Sequence, residues 1–261
     1  MHPITLTTDF GIQDHYVAVM KGVILGIAPQ ATIVDITHRI EPHNILHGAF
    51  VLRQVVTWFP KGTVHVVVID PGVGSDRRIL VGRYSGQIII APDNGVMSFV
   101  HRDLQLEAIH TVQNNRFFLP AVLPTFHGRD IIAPVAAHLV NGCSIDEIGP
   151  PTKQIEVLQL PKPEYHEDRG LIGQVLYADH FGNLITNIAR ADLAEVYRQS
   201  FDVRVYVGDA CAGPIHQTYT DVPVGEPVAL IGSSEMLEIS VHRGRAADRF
   251  EHDSNTPIIV R

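Results

Sequence analysis

At 261 residues, with 45% apolar and 18% charged residues, the sequence is long enough for one large domain or two smaller ones, each able to bury a full core. A formal net charge of −8, with no lysine- or arginine-rich stripe, argues against nucleic-acid binding and suits a cationic small molecule. No apolar stretch reaches the roughly 18–20 residues a membrane-spanning helix needs. The N-terminus, MHPITLTTDF, lacks the basic start and apolar run of a signal peptide, so a soluble cytoplasmic protein is expected. Cys143 and Cys211 lie far apart without metal-site spacing, which fits a reducing compartment.

In chain order, residues 4–10 alternate as a strand and end in Asp9-Phe10-Gly11. Residues 14–29 repeat apolar positions at helical spacing until Pro29 closes the run, giving a helix of about four turns. A second strand is predicted at 31–36 and a second helix at 43–59. Of the 15 histidines, His38, His43 and His47 come nearest to a cluster, and their spacing reads as the polar side of an amphipathic helix rather than a metal site. Pro60-Lys61-Gly62 is a turn, and residues 64–69 form a β-branched apolar run of the length of a buried strand. The order β-α-β-α-β implies a parallel sheet.

That last strand stops at Asp70, before Pro71 and a glycine-punctuated turn leading to Arg77. Ligands of open α/β sheets sit in the crevice outside the carboxyl ends of the strands, so an acid there is a candidate site residue. His127, in PTFHGRD, stands just before a helix predicted at 131–140, with Asp130 as its N-cap and Gly142 as its terminator. Between these motifs, residues 79–83 and 87–91 read as strands joined by a tight turn, and Pro92-Asp93-Asn94-Gly95 as a turn that can open a helix.

The largest shift in composition, Gly149-Pro150-Pro151 through Pro161-Lys162-Pro163 and the polar residues 164–169, marks a domain boundary near residue 165. Beyond it, short strands are predicted at 171–177, 184–188, 201–207, 228–231, 237–241 and 257–260, with one helix near 192–198. The fold class expected is therefore α/β: an N-terminal α/β domain (1–165) with a central, largely parallel sheet, and a smaller C-terminal β-barrel domain (166–261).

There is no GxxxxGK[ST] phosphate loop, and the first strand ends in TTDFG rather than in a G-x-G-x-x-G turn, so neither nucleotide triphosphate hydrolysis nor ordinary dinucleotide binding is supported. Taken singly, an Asp before Pro-Gly is a turn former, a lone His a structural residue, and Arg77 beside Arg78 a solvated basic pair. The ordered set says more. TTDFG with Asp14, DPGVGSDR, APDNG, PTFHGRD, DHFGNLITN and SSEMLEISVHRGRAA together resemble the S-adenosyl-L-methionine hydrolase (adenosine-forming) family, relatives of fluorinase and chlorinase, in register over nearly the whole chain.

The resemblance implies attack of water on the ribose 5′ carbon of S-adenosyl-L-methionine, giving adenosine and L-methionine without metal or cofactor. It further implies a homotrimer with active sites at subunit interfaces. Asp70, Arg77 and His127 match the family's water-handling triad. Asp9 matches the residue that bonds the ribose hydroxyls, Asp14 and Asp179 those that hold the methionine ammonium, and Phe181 and Asn183 the adenine-binding segment. Arg245 and Ala247 lie close by on the same pattern, and Ser234 matches a contact to the methionine carboxylate. Glu235 departs from the fluorinating relative, which has a basic residue there, and this leaves the carboxylate's charge partner open.

Three other classes are distinguishable. A non-catalytic S-adenosylmethionine or adenosine binding module needs no triad, a histidine- and aspartate-dependent metallohydrolase requires three or four ligands at defined geometry, and a halide-dependent 5′-halo-5′-deoxyadenosine synthase requires a pocket that accepts an anion.

Overall fold

The computed structural model describes residues 2–197, 203–253 and 256–261. The chain divides into two compact units, Met1–Gln159 and Leu160–Arg261.

In the first unit, β1 (Ile4–Thr8), β2 (Ile33–Thr37), β3 (Val64–Val68), β4 (Ile79–Tyr84), β5 (Gln87–Pro92) and β6 (Leu106–Thr111) form one sheet in the order β2-β1-β3-β5-β4-β6. Strands β2, β1, β3 and β5 are parallel, and β4 runs antiparallel to both of its neighbours. All five residues of β1 and of β3 are buried, as expected of central strands covered on both faces. Helices α1 (Tyr16–Ile27), α2 (Ile45–Val56), α3 (Ser98–Asp103), α4 (Ala133–Val140) and α5 (Ile145–Ile148) supply the cover. Met20 and Ile24 of α1 and Ala133 and Ala136 of α4 pack with Ile4, Leu6, Val64 and Val66, and the small residues of α4 let it lie close to α1. On the alternate positions of the strands, Thr5 Oγ1 and His65 Nδ1 are 2.9 Å apart. Burial pushes the His65 imidazole down to about 4, so it is a neutral interior group at physiological pH.

Several local expectations are corrected. His38 follows β2 in a bend, His43 has a left-handed backbone (φ 68°), and of the three only His47 lies in α2, so no helix presents them on one polar face. The side chain of Asn44 ends that irregular stretch by accepting the His47 N–H at 2.9 Å, and this cap starts α2. Asp130 is not an N-cap. It lies inside a π-helical turn, Gly128–Ile132, that runs directly into α4. Gly142 does terminate α4: at φ 97° it donates to Leu139 O at 3.0 Å while Cys143 N–H reaches His138 O at 3.0 Å, the paired bonds of a Schellman ending.

In the second unit, β7 (Glu164–His166), β8 (Gly170–Ala178), β9 (Leu184–Ala189), β10 (Arg204–Val207), β11 (Ala210–His216), β12 (Pro227–Ile231), β13 (Met236–Val241) and β14 (Pro257–Val260) pair in the order β14-β10-β11-β12-β13-β9-β8-β7. A further β14–β8 pairing closes seven of them into a barrel and leaves β7 as an appended strand. Residues 164–169, read as linker, thus supply β7 and the turn into β8. Leu171, Val175, Leu184, Ile188, Leu237 and Ile239 are among the side chains that fill the barrel. Helix α6 (Arg190–Tyr197) follows β9, and α7 (Ala246–Arg249) follows β13. The ends of two expected elements, Arg198 of the helix and Phe201 and Asp202 of the strand, lie outside the described residues.

Candidate active site

Strand β3 ends at Val68, and the chain leaves the sheet through Ile69 to Asp70. The amide of Asn94, in the turn after β5, donates to Ile69 O at 2.8 Å and pins this exit. The following loop folds on itself, with Val73 N–H on Asp70 O and the Ser75 hydroxyl on Gly72 O at 2.7 Å. Gly74 (φ 81°) lies so close to the segment before His127 that a Cβ there would come within 2.7 Å of Pro124 O.

This folding turns Arg77 back onto Asp70. Its Nε donates to Oδ1 at 2.8 Å and to Oδ2 at 2.9 Å, and Nη2 also bonds Oδ2. From the same nitrogen a bond of 2.9 Å reaches His127 Nδ1. A guanidinium only donates, so Nδ1 is the acceptor, and the proton of the neutral imidazole sits on Nε2. The three residues thus form one hydrogen-bonded chain, with Asp70 and Arg77 side chains only 5% and 10% exposed. Burial, and then the positive charge of Arg77, lower the His127 pKa from its ordinary value, against the opposing pull of Asp70 and Asp130.

None of the supporting residues was assigned to the site from the sequence. Arg78 turns away from Arg77 to bond Asp93 at 2.9 Å and Gln154 O at 3.1 Å, so the two arginines are not a solvated pair. Asp130 accepts the Leu123 N–H at 2.8 Å and pairs with Arg129, tying down the loop that leads to His127. Burial works against the charged form of Asp130, but the bonds from Arg129 and Leu123 outweigh it and hold the carboxyl below the usual range. Phe126 is flanked by Phe10 at 5.9 Å, Tyr16 at 5.4 Å and the Arg129 guanidinium at 5.0 Å. Its place inside the PTFHGRD motif was the available sequence signal.

Asp9 lies at the end of β1, where Oδ2 accepts the His43 N–H at 2.9 Å, and the Phe10–Phe126 contact brings this strand end beside the His127 segment. Asp14 is exposed in the bend before α1.

In the barrel unit, Asp179 closes the β8–β9 turn. Its Oδ1 accepts the Asn183 N–H and its Oδ2 the Asn183 amide, both at 2.9 Å. Phe181, at the tip, is 71% exposed while Asn183 is buried. Arg245 Nη1 donates to His180 O at 3.0 Å and Ala247 N–H to Gly182 O at 2.9 Å, so the start of α7 is joined to this turn. Asp179, Phe181, Asn183, Arg245 and Ala247 are therefore one local assembly. Ser234 lies apart from it in the β12–β13 turn, with no hydrogen bond to it among the described residues. The neighbouring Glu235 (φ 60°) is paired with Arg190, Nε to Oε2 at 2.6 Å, so an arginine stands next to the acid that departs from the family pattern. Among the described residues, no three His, Cys, Asp or Glu side chains are grouped to hold a metal ion.

Comparison with known proteins agrees with this anatomy over both units. Residues 4–149 match the sequence model of the SAM hydroxide adenosyltransferase N-terminal domain, and residues 173–259 that of the C-terminal domain. The (R)-S-adenosyl-L-methionine hydrolase of Thermus thermophilus is 35% identical over 99% of each chain. The fluorinase of Nocardia brasiliensis is 30% identical over 91% of this chain and 89% of its own. Among solved structures, an uncharacterized conserved protein from Thermotoga maritima superposes with a TM-score of 0.91 at 37% identity, covering 98% of this chain and 99% of that one. With both family domains matched in order and full-length relatives above 30% identity, the chain belongs to the SAM hydroxide adenosyltransferase family.

Proposed function

We propose that this protein hydrolyses S-adenosyl-L-methionine to adenosine and L-methionine by attack of water on the ribose 5′ carbon, with Asp70, Arg77 and His127 handling the water. The observation that carries this reading is the continuous Asp70–Arg77–His127 hydrogen-bonded chain in a member of a family whose relatives are named as hydrolases of this compound.

The leaving group departs from a sulfonium as a neutral thioether, so it needs no acid. The attacking water becomes a protonated alcohol as the C–O bond forms, and even a weak base removes its proton. His127 Nδ1 is occupied by Arg77, so His127 offers its Nε2–H as a donor that orients the water, and the proton passes to the Asp70 carboxylate. Arg77 fixes both partners and stabilises the charge that moves between them. A carboxylate at this position repels a halide, which favours hydrolysis over halogenation.

The substrate side of the reading assigns Asp9 to the ribose hydroxyls and Asp14 and Asp179 to the ammonium. It assigns Phe181 and Asn183 to the adenine, with Arg245 and Ala247 as substrate contacts beside them, and Ser234 to the carboxylate. It includes a cytoplasmic homotrimer with active sites at subunit interfaces, and it requires no cofactor.

The direct test is incubation of chelator-treated protein with S-adenosyl-L-methionine, with and without chloride. Equal amounts of adenosine and methionine, unaffected by chloride, are expected; 5′-chloro-5′-deoxyadenosine would move the activity to halogenation, and unchanged substrate would leave a binding module. A pH profile adds a second check. His127 accepts from Arg77 only when unprotonated, and its pKa lies below 6.5. Activity is therefore flat through neutral pH and falls as acid protonates His127, with a midpoint below 6.5; a midpoint above that value would contradict the role.

A further inference from the structure

The outer face of the barrel carries a carboxylate that the reading above leaves unused. Along β13, Leu237, Ile239 and Val241 enter the core, so Glu238 points to the opposite face. There the register sets it in one row with Ile185 of β9 and Tyr177 of β8. A charged side chain on such a face ordinarily reaches water, yet Glu238 is only 6% exposed. Its Oε1 accepts the Tyr219 hydroxyl at 2.7 Å and the Ser240 hydroxyl at 2.8 Å. No Lys, Arg or His among the described residues forms an ion pair with the group. Oε2 also lies so near the backbone at Gly232 that a Cβ would come within 2.4 Å of it.

Two hydroxyls offset only part of the cost of burying a carboxylate, and a cation close by would offset more. The candidate ammonium ligand, Asp179, follows Tyr177 by two residues, just where β8 gives way to its turn. The tyrosines respond to both acids. Burial, then Asp179 and Glu238, push Tyr177 up to about 12, while burial, the bond to Glu238 and then both negative charges raise Tyr219.

We propose that Glu238 is a specificity-determining residue, a fixed negative charge alongside the Asp179 turn that favours a cationic ligand there over a neutral one. This deepens the hydrolase reading and rests on it. The substrate carries ammonium and sulfonium charges, whereas the product adenosine carries none, so the field strengthens binding of the first and leaves the second free to depart. Glu238 acts through space, without touching the substrate.

The test compares KM for S-adenosyl-L-methionine with the inhibition constant of adenosine in the intact enzyme. In Glu238→Gln, which keeps an acceptor for both hydroxyls, KM is expected to rise about five- to tenfold, with kcat changed less than about twofold and adenosine inhibition unaltered. Glu238→Asp, which keeps the charge, stays within about twofold of the unmodified protein. Parallel weakening of substrate and adenosine, no change in either, or the same loss in both variants would overturn the proposal. If the unmodified protein shows no turnover, the hydrolase reading falls by itself. The equilibrium affinities of the same two compounds then decide on Glu238, an unchanged ratio in Glu238→Gln overturning its role.

Discussion

Replacement of Asp70 by alanine is expected to lower kcat by about a thousandfold while S-adenosyl-L-methionine still binds, because in the proposed mechanism the group removed acts on the water and not on the substrate. The expectation follows from the direction of the hydrogen bonds. Arg77 donates to both Asp70 and His127, so Asp70 is the member of the chain left with lone pairs for a proton. His127→Ala produces a loss of similar order, and the double variant is scarcely worse than either single one, since the groups work as a unit. Turnover followed by chromatography, with binding followed by calorimetry, separates the two effects. Retained activity in Asp70→Ala would sink the mechanism, and lost binding would place Asp70 among the substrate contacts instead.

The largest expected effect on stability lies elsewhere. Gly170 opens β8 at φ 84°, and a Cβ there would stand 2.1 Å from Val260 O, backbone that has no freedom to retreat. Gly170→Ala combines a strained backbone with a clash at the β8–β14 junction, and it is expected to cost about 3 kcal/mol or more. The melting transition of the barrel unit should fall by roughly 10–20 °C, read by calorimetry. A shift of only a degree or two would mean that β8 and β14 separate readily, contrary to the observed register.

Much of the first unit was legible in the sequence because its signals are local. The run ending at Val68 is buried at every position and apolar at all but His65, as befits a strand covered on both faces, and Gly142 is a glycine at a site that requires positive φ. The triad residues could be named individually, but their meeting depends on Gly74 packing against Pro124, a contact between residues far apart in sequence. Local reading failed where tertiary context overrides propensity. No strand was expected between 207 and 228, and Gly213 and Pro214 weaken any strand pattern there, yet β11 fills that stretch because the barrel needs it to pair β10 with β12. Glu164–His166 reads as linker because it is short and polar, and only its pairing with β8 makes it a strand. Asp130 has the composition of a cap, but Leu123 and Arg129 recruit it to the loop before the helix. Glu238 gave no signal, because an acid alternating with apolar residues normally marks a wet face.

The closure of the barrel by β14 also bears on how the chain is made. Of its seven strands this one is synthesised last, and it pairs with β8, the earliest of the seven, as well as with β10. The first unit holds a complete sheet and core before any of the barrel exists, so it can fold while translation continues. The second cannot. Until β14 emerges, β8 and β10 present unpaired edges beside a half-filled core, and their partner comes from the far end of the unit, so closure is slow and the intermediate is open to wrong pairing. The nascent barrel, rather than the sheet-bearing first unit, is where this protein depends on timely release and on protection from its neighbours.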